Sequence, residues 1–273
     1  MSQTKITTNN EAQNPTVHGV LKTWVREMAE LCRPDEIYWC NGSEEEKKHL
    51  TAEAIHHGDV EELNQQILPG CLYARSKEND VARVESLTFI CTHSKEDAGP
   101  TNNWMAPKEA YQKLSEIFRG CMKGRTMYVV PFLMGVPGSK FNKVGVQLTD
   151  SLYVVLNMRI MTRMGKVALE ELGDSGDFTR CLHSRADLDD KKRFICHFPE
   201  DNTIWSVGTN YGGNVLVGKK CLALRIGSWL GRREGWLAEH MLIMGIQAPD
   251  GKVRCIAAAC PSQCGKTNLA MLV

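Results

Sequence analysis

The run VRCIAAACPSQCGKTNLAM, residues 253–271, constrains the fold more than any other part of the chain. Pro249, Asp250 and Gly251 supply a turn, the apolar letters 253–259 then read as a strand, and that strand delivers its carboxyl end into a loop. Gly265, Lys266 and Thr267 follow in the order of a phosphate-binding G-x-x-x-x-G-K-[ST] turn. In such a turn backbone N–H groups and a helix N-terminus hold phosphate oxygens, the lysine reaches the outer phosphates and the hydroxyl meets a divalent metal. The motif here is degenerate, because Cys260 replaces its first glycine and Pro261 stiffens the loop. On this string alone, an ordinary strand-to-helix turn is the competing reading.

Upstream, Val17, Val20, Leu21, Trp24, Val25, Met28 and Leu31 recur at helical spacing and predict an amphipathic helix that ends before Pro34. Ser43 with Glu46, and Asp59 with Glu62, fit capping boxes that open two short helices, the first closing at Gly58. The adjacent His56 and His57 read as surface residues, since neighbours on a helix point in different directions. Residues 87–92 read as a buried strand, and Pro107 opens a helix carrying Tyr111, Leu114, Ile117, Phe118 and Cys121. Strands are expected at 127–134 and 143–148 across a Gly/Pro loop, and Asp150 is expected to cap a helix reaching Leu172. Arg159, Arg163 and Lys166 would form a solvated basic stripe on that helix. Three more short strands are expected at 178–182, 193–198 and 204–207, with Asp187, Asp189, Asp190, Lys191, Lys192 and Arg193 as loop charges. Helices and strands mix without strict alternation, so the fold class is α/β with a mixed α+β sheet.

Composition matters here for what it excludes. The 273 residues, 42% apolar and 24% charged, suit one large or two small soluble domains rather than a fibrous or unfolded chain. A net charge of +1 gives no global field for nucleic acid or an acidic membrane, and no apolar run is long enough to span a bilayer, so neither partner is expected. The eleven cysteines include no CxxC pair and read as reduced and mostly buried, in a reducing compartment. The opening MSQTKITTNNEAQNP has no arginine and no apolar core and carries Glu11, so residues 1–15 read as a flexible tail and the expected location is cytoplasmic.

Longer strings carry a resemblance. DVARVES (80–86), GRTMYVVPF (124–132), GVQLTDS and MRIMTRMG (between 145 and 165), and NYGGNVLVGKKCLALRIGSWLGRREGWLAEHMLIMGI (210–246), together with ACPSQCGKTNLAM, resemble phosphoenolpyruvate carboxykinase of the GTP-dependent type. The resemblance runs from about the first helix to the last residue. It implies an N-terminal domain over 16–232 and the beginning of a P-loop-containing nucleotide-binding domain over 233–273, with the active site in the cleft between them and a monomeric state. The implied reaction is gluconeogenic: oxaloacetate is decarboxylated and its enolate phosphorylated by GTP, giving phosphoenolpyruvate, carbon dioxide and GDP.

Each implied site residue also has a plainer reading. Arg83 by itself would be a surface charge; the resemblance makes it the guanidinium fork for substrate carboxylate or phosphate. Tyr211, Gly212 and Gly213 would be a β-turn, and become a substrate loop whose glycines allow close backbone approach. Lys219 and Lys220 would be solvated; by resemblance Lys220 and His240 are ligands of a catalytic manganese ion, Lys220 as the neutral amine, while Lys219 meets phosphate. His240 lies in WLAEHMLIMGI, read as an apolar helix, where a core histidine is the alternative. Ser262 matches a substrate contact, and Gln263, Cys264, Gly265, Lys266, Thr267 and Asn268 match the nucleotide loop. Lys266 would neutralise the β- and γ-phosphates, and Thr267 would meet the second divalent ion, magnesium or manganese, that accompanies GTP. Cys264 matches the family's reactive cysteine, its thiolate favoured by Lys266 and the helix N-terminus; with Lys219 and Lys266 it completes the expected catalytic set.

The 273 residues lack the aspartate that completes the manganese site, the aromatic guanine pocket, further substrate arginines and the lid, so this chain alone is not expected to turn over. Gln263 stands where the family commonly has alanine, and Val136 with Pro137 alters a loop usually entered by proline. The alternative is a catalytically incompetent fragment that binds anions or a partner. An unrelated P-loop NTPase is disfavoured by the degenerate first glycine and by the absence of a downstream acidic metal motif.

Overall fold

Leu21, Trp24, Val25, Ala29 and Cys32 fall at helical spacing and are the buried residues of the first helix, α1 (Gly19–Cys32). Arg33 then takes a left-handed backbone, φ 53°, and Pro34 stops the helix. A computed structural model describes residues 19–80, 84–211, 217–239, 241–260 and 264–270. The chain divides into two compact units, Met1–Ile226 and Gly227–Val273.

After α1 the larger unit continues through β1 (Glu36–Trp39), α2 (Glu44–His56), β2 (Glu61–Glu62), β3 (Leu72–Tyr73), β4 (Thr88–Ile90), β5 (Asn103–Trp104) and α3 (Pro107–Phe118). There follow β6 (Thr126–Met134), β7 (Lys143–Thr149), α4 (Leu152–Met161), β8 (Arg163–Met164), α5 (Lys166–Leu172), β9 (Thr179–Ser184), β10 (Phe194–Phe198) and β11 (Thr203–Val207). Nine strands make one mixed sheet in the order β1-β6-β7-β9-β11-β10-β4-β5, with β8 also paired to β6. The expected α/β class with a mixed sheet is the one found. Met127 and Val129 of β6 share a core with α1, α3 and α5, whereas Tyr128 turns to the other face and donates to Glu53 of α2 at 2.9 Å. Helices therefore cover both faces, which is why β6, β7, β9, β10 and β11 are buried almost throughout.

Three expectations are corrected. The helix proposed after Asp59 is absent: Glu61 and Glu62 pair antiparallel with β3, and Asp59 is taken by Arg185 at 3.0 Å. The long helix from Asp150 is two helices, and its cap is Ser151, whose Oγ accepts from Val154 N–H. The break follows from Pro131, which puts a residue without an N–H inside a buried strand. On that edge of β6, β1 ends opposite Val129 and β8 begins opposite Leu133, so the proline sits at the gap. Cys40 N–H and Gly165 N–H donate to the Val129 and Pro131 carbonyls at 2.9 and 2.8 Å and close it. The basic stripe is dispersed as a result: Arg159 donates to Gly42 O and Glu44, and Arg163 to Gly135 O.

In the smaller unit, α6 (Gly227–Glu234) precedes β12 (Met241–Gln247), β13 (Val253–Ala259) and α7 (Lys266–Ala270). The run MLIMGI is thus a strand and not the expected apolar helix; it is apolar at every position, and such a run has no period to separate the two. β12 and β13 form an antiparallel hairpin turned by Pro249, Asp250 and Gly251, as the turn signal requires.

The Ser43 box is present in altered form. Ser43 Oγ accepts from Glu46 N–H at 3.1 Å, while the Glu46 carboxylate takes the N–H groups of Asn41 and Gly42 at 2.7 and 2.8 Å. This holds Gly42 against Gly165. A Cβ on Gly165, φ 84°, would lie 2.1 Å from the Asn41 backbone, whereas one on Gly58, φ 73°, meets nothing within 4 Å. Gly58→Ala should therefore lose only the left-handed backbone cost, about 1–2 kcal/mol. Gly165→Ala should lose roughly twice that or more, because backbone must move as well. Urea unfolding of the two variants side by side checks the difference; equal losses would refute the packing argument.

Candidate functional site

β7, β9 and β11 are mutually parallel, so their carboxyl ends lie side by side at one margin of the sheet. Open α/β sheets collect ligands at such margins. The residues that emerge there are Thr149, Asp150 and Ser151, then His183, Ser184 and Arg185, then Gly208, Thr209, Asn210 and Tyr211. His183 is wholly buried; its Nε2 lies 2.8 Å from the Thr209 carbonyl and its Nδ1 2.6 Å from Thr149 Oγ1. A carbonyl only accepts, so Nε2 carries the proton and Nδ1 accepts from the threonine hydroxyl, which in turn accepts from Ser151 N–H at 3.1 Å. Asp150 receives Ser184 Oγ and Arg185 N–H, both at 2.8 Å, and pairs with Arg125 Nε at 3.0 Å. Its carboxylate is committed to this network and does not cap a helix, as the sequence had suggested.

Two further links lead to Tyr211. Ser151 Oγ lies 3.0 Å from Asn210 O and 3.1 Å from Asn210 Oδ1, and Asn210 N–H donates to Asp80 Oδ2 at 2.9 Å. The Tyr211 ring stands edge-on to Tyr153, centroids 5.2 Å apart. Arg193, read from sequence as a loop charge, is buried and donates to Gly208 O and Asn79 O at 3.0 and 2.8 Å. Of the predicted substrate residues, Tyr211 is therefore placed at the strand ends, directly after this network. Arg83, Gly212, Gly213, His240, Ser262 and Gln263 lie outside the described residues. Lys219 and Lys220 fall in a π-helical segment, Val217–Ile226, whose backbone alone is described at those two positions. Sequence reasoning passed over Asp80, Thr149, Asp150, Ser151, His183 and Arg193 as site-forming groups. The signal available was a polar cluster, Thr-Asp-Ser, at the carboxyl end of the buried strand β7.

The glycine–lysine–threonine loop belongs to the smaller unit. Gly265 has φ 93°, Lys266 and Thr267 open α7, and Cys264 and Asn268 are exposed. Lys266 Nζ folds back over its own loop, donating to Cys260 O at 2.5 Å and lying 3.5 Å from Cys264 Sγ. Cys260 and Cys264 are joined as a disulfide, and nine other cysteines are free. This corrects the reading of every thiol as reduced: the two Cα atoms stand 6.4 Å apart, within disulfide range without a CxxC spacing. The favoured Cys264 thiolate is an expectation for the reduced loop.

Among the described residues no group of three or more His, Cys, Asp and Glu could hold a metal ion, and no helix is long and apolar enough to cross a membrane. A mixed sheet with polar strand ends, joined in sequence to a strand, a Gly-Lys-Thr loop and a helix, places the chain among α/β proteins of the P-loop kind. Residues 23–232 match the family model described as phosphoenolpyruvate carboxykinase N-terminal domain, and residues 236–273 the one described as phosphoenolpyruvate carboxykinase C-terminal P-loop domain. The chain belongs to the phosphoenolpyruvate carboxykinase family. It is 63% identical over 262 residues to "Phosphoenolpyruvate carboxykinase [GTP]" of Anaeromyxobacter sp. (strain K), which covers 96% of this chain and 44% of that relative. Proteins of the same name from Corynebacterium efficiens, 50% identical over 273 residues, and Chlamydia muridarum, 49% over 268, cover 96% and 94% of this chain and 45% of their own length. The chain thus spans less than half the length of these relatives.

Two buried histidines make stability pH-dependent. Burial lowers the pKa of His183, and burial first, with the Arg225 guanidinium second, lowers that of His197 to about 3. In the unfolded chain both bind protons near 6.5, so their contribution is full above about 6.5 and is lost as pH falls below it, for His197 towards 3. The urea midpoint should drop between pH 7 and pH 5, and His197→Gln should make the drop shallower; an unchanged slope would count against a neutral buried His197. Iodoacetamide should label one cysteine, Cys255, in the tryptic peptide 255–266 before reduction and three after it, whereas three before reduction would mean that the Cys260–Cys264 bond does not form.

Proposed function

We propose that the chain is the N-terminal portion of a GTP-dependent phosphoenolpyruvate carboxykinase, converting oxaloacetate and GTP to phosphoenolpyruvate, carbon dioxide and GDP as part of the longer protein. The observation that carries this reading is 63% identity sustained over 262 residues, in a chain whose family-model matches take in both the polar strand ends and the Gly-Lys-Thr loop. In this reading Arg83, Tyr211, Gly212, Gly213 and Ser262 bind the multiply anionic substrate, with Arg83 as a two-pronged partner for carboxylate or phosphate. Lys219 neutralises developing charge on the transferred phosphoryl group. Residues 263–268 hold the nucleotide, with Lys266 on the outer phosphates and the Thr267 hydroxyl toward the accompanying divalent ion. For this Lys266 must exchange the Cys260 carbonyl for phosphate oxygens, and the disulfide must open if Cys264 is to act as a thiol. Phosphoryl transfer of this kind needs no covalent enzyme intermediate, so positioning and charge neutralisation carry most of the rate.

Manganese is part of the same proposal. Lys220 and His240 would supply two nitrogen donors of the right chemical kind, and the described residues supply no cluster that completes a site by itself. Bound, such an ion polarises carbonyl and enolate oxygens. Holding Lys220 as a free amine is the task of neighbouring positive charge, and Lys219 is adjacent in sequence. A cytoplasmic, monomeric protein is the setting proposed.

A second reading has its own observation. The β12–β13 hairpin exposes apolar side chains along its length, among them Ile243 at 73% and Val253 at 63%, so the 273-residue chain by itself would act as a binding fragment without turnover. Fluorescent GDP binding and turnover assays separate the cases. The 273-residue chain, reduced, is expected to bind GDP, to lose about tenfold or more in affinity on Lys266→Ala, and to show no manganese-dependent conversion of oxaloacetate. Equal binding by Lys266→Ala would defeat the loop assignment, and robust turnover would defeat the need for the remaining half. In the complete enzyme, Lys220→Ala should abolish manganese-dependent turnover; full activity would remove Lys220 from the metal site.

A further inference from the structure

We propose that Asp80 and Arg193 are positioning residues: a buried ion pair that locks the segment leading into Arg83 to the segment leading into Tyr211, Gly212 and Gly213. The proposal rests on the functional reading that those residues bind substrate, and assigns to Asp80 and Arg193 no contact with substrate themselves.

Both side chains are buried, Asp80 to 5% and Arg193 to 3% exposure, although neither lies among the apolar core residues. Asp80 Oδ2 accepts from Ser76 Oγ at 2.6 Å on its own segment and from Asn210 N–H at 2.9 Å on the other. Arg193 answers from the opposite side, with Nε on Gly208 O at 3.0 Å and Nη1 on Asn79 O at 2.8 Å. Each residue thus holds both segments, which stand 130 positions apart in sequence. Asp80 Oδ1 and Arg193 Nη2 make no hydrogen bond and lie 3.8 Å from one another, so each is the other's charge partner. Gly208 is shaped to this arrangement: with φ 84°, a Cβ there would come within 2.9 Å of Arg193 Cα.

Neither segment belongs to a regular element. Residues 76–80 precede β4 without helix or strand, and 208–211 follow β11. Backbone of this kind has no ladder to hold it, and a buried charge pair with polar bonds to main-chain groups supplies the missing constraint. Removing one partner leaves the other charge buried and unpaired, so the two segments should loosen together. Arg83 comes three residues after Asp80 and Gly212 two after Asn210, so looseness here is passed directly to the residues assigned to the substrate.

Hydrogen exchange read by mass spectrometry on the 273-residue chain, with and without phosphoenolpyruvate, tests this. In the parent chain phosphoenolpyruvate should slow exchange over 76–86 and 206–214; no slowing at any concentration would overturn the substrate assignment, and this proposal with it. Asp80→Asn and Arg193→Lys should each speed exchange in both segments at once, leave β6 and β7 unchanged, and raise the phosphoenolpyruvate concentration for half-protection by about tenfold or more. Should either variant also expose β6 and β7, Ser76→Ala decides, since it removes one neutral donor and keeps the charge pair: a rise of about threefold or more in that midpoint supports the clamp. Parent-like midpoints in folded Asp80→Asn or in Ser76→Ala, or loosening of the mutated segment alone, would overturn the clamp while the substrate assignment stands.

Discussion

The His183 imidazole donates to the Thr209 carbonyl and accepts from the Thr149 hydroxyl, and with those two bonds it joins the ends of three parallel strands. In a dry interior the arrangement holds only while the ring is neutral and in one tautomer, because a second ring proton would meet a hydroxyl already donating to it. The neighbouring polar groups inherit their places from that ring. Thr149 is turned toward Ser151, Ser151 toward Asn210, and Asn210 toward Asp80, so a single satisfied histidine orders a row of groups that ends at Asp80 and passes through the residue before Tyr211. Asp150 forms a second row through Ser184, Arg185 and Arg125. The apolar sheet supplies stability here, and the polar rows supply position.

That division explains what was legible in the sequence. Strands β6, β7 and β10 are largely apolar runs, with Lys143, Gln147 and Thr149 in β7 and His197 in β10 as the main exceptions, and the sheet buries nearly all of their residues. α1 and α3 announce themselves through spacing, Pro34 and Pro107 through their missing N–H groups. Failures came where a tertiary partner overruled a local signal. Asp59 and Glu62 match a capping box, but Arg185 and the β3 backbone take them. Asp150 matches an N-cap, but an arginine far along the fold claims it, and Ser151 caps instead. The break after Met161 answers a gap opposite Pro131, which no window of sequence around the helix contains.

The candidate site was legible to a different degree in its two parts. Motif strings singled out Tyr211 and the Gly-Lys-Thr loop as candidates, because glycines and a lysine at fixed spacing carry their own physical meaning. The groups beside Tyr211 have no such spacing. Asp80 and Arg193 are far apart in sequence, and each by itself looks like a solvated charge; only burial and shared main-chain partners reveal them. Cys260 and Cys264 were missed for a related reason, since proximity was sought at CxxC spacing and the loop closes one residue wider.

The two units also differ in what sustains them. The larger has a nine-stranded sheet covered on both faces, so its strand-end network sits on a scaffold with a core of its own. The smaller, as described, offers a two-stranded hairpin and short helices, and a lone hairpin is marginal in water. Its side chains say the same, with Leu237, Ile243 and Val253 all more than half exposed. Local opening should therefore be cheapest around β12 and β13. On the proposed reading, a nucleotide bound at Lys266 stabilises this unit by mass action, so that affinity and local order become one coupled quantity. Lys266 sits at the centre of that coupling: its ammonium is held by the Cys260 carbonyl in the free loop, and a phosphate that replaces this carbonyl must offer a stronger, fully charged partner.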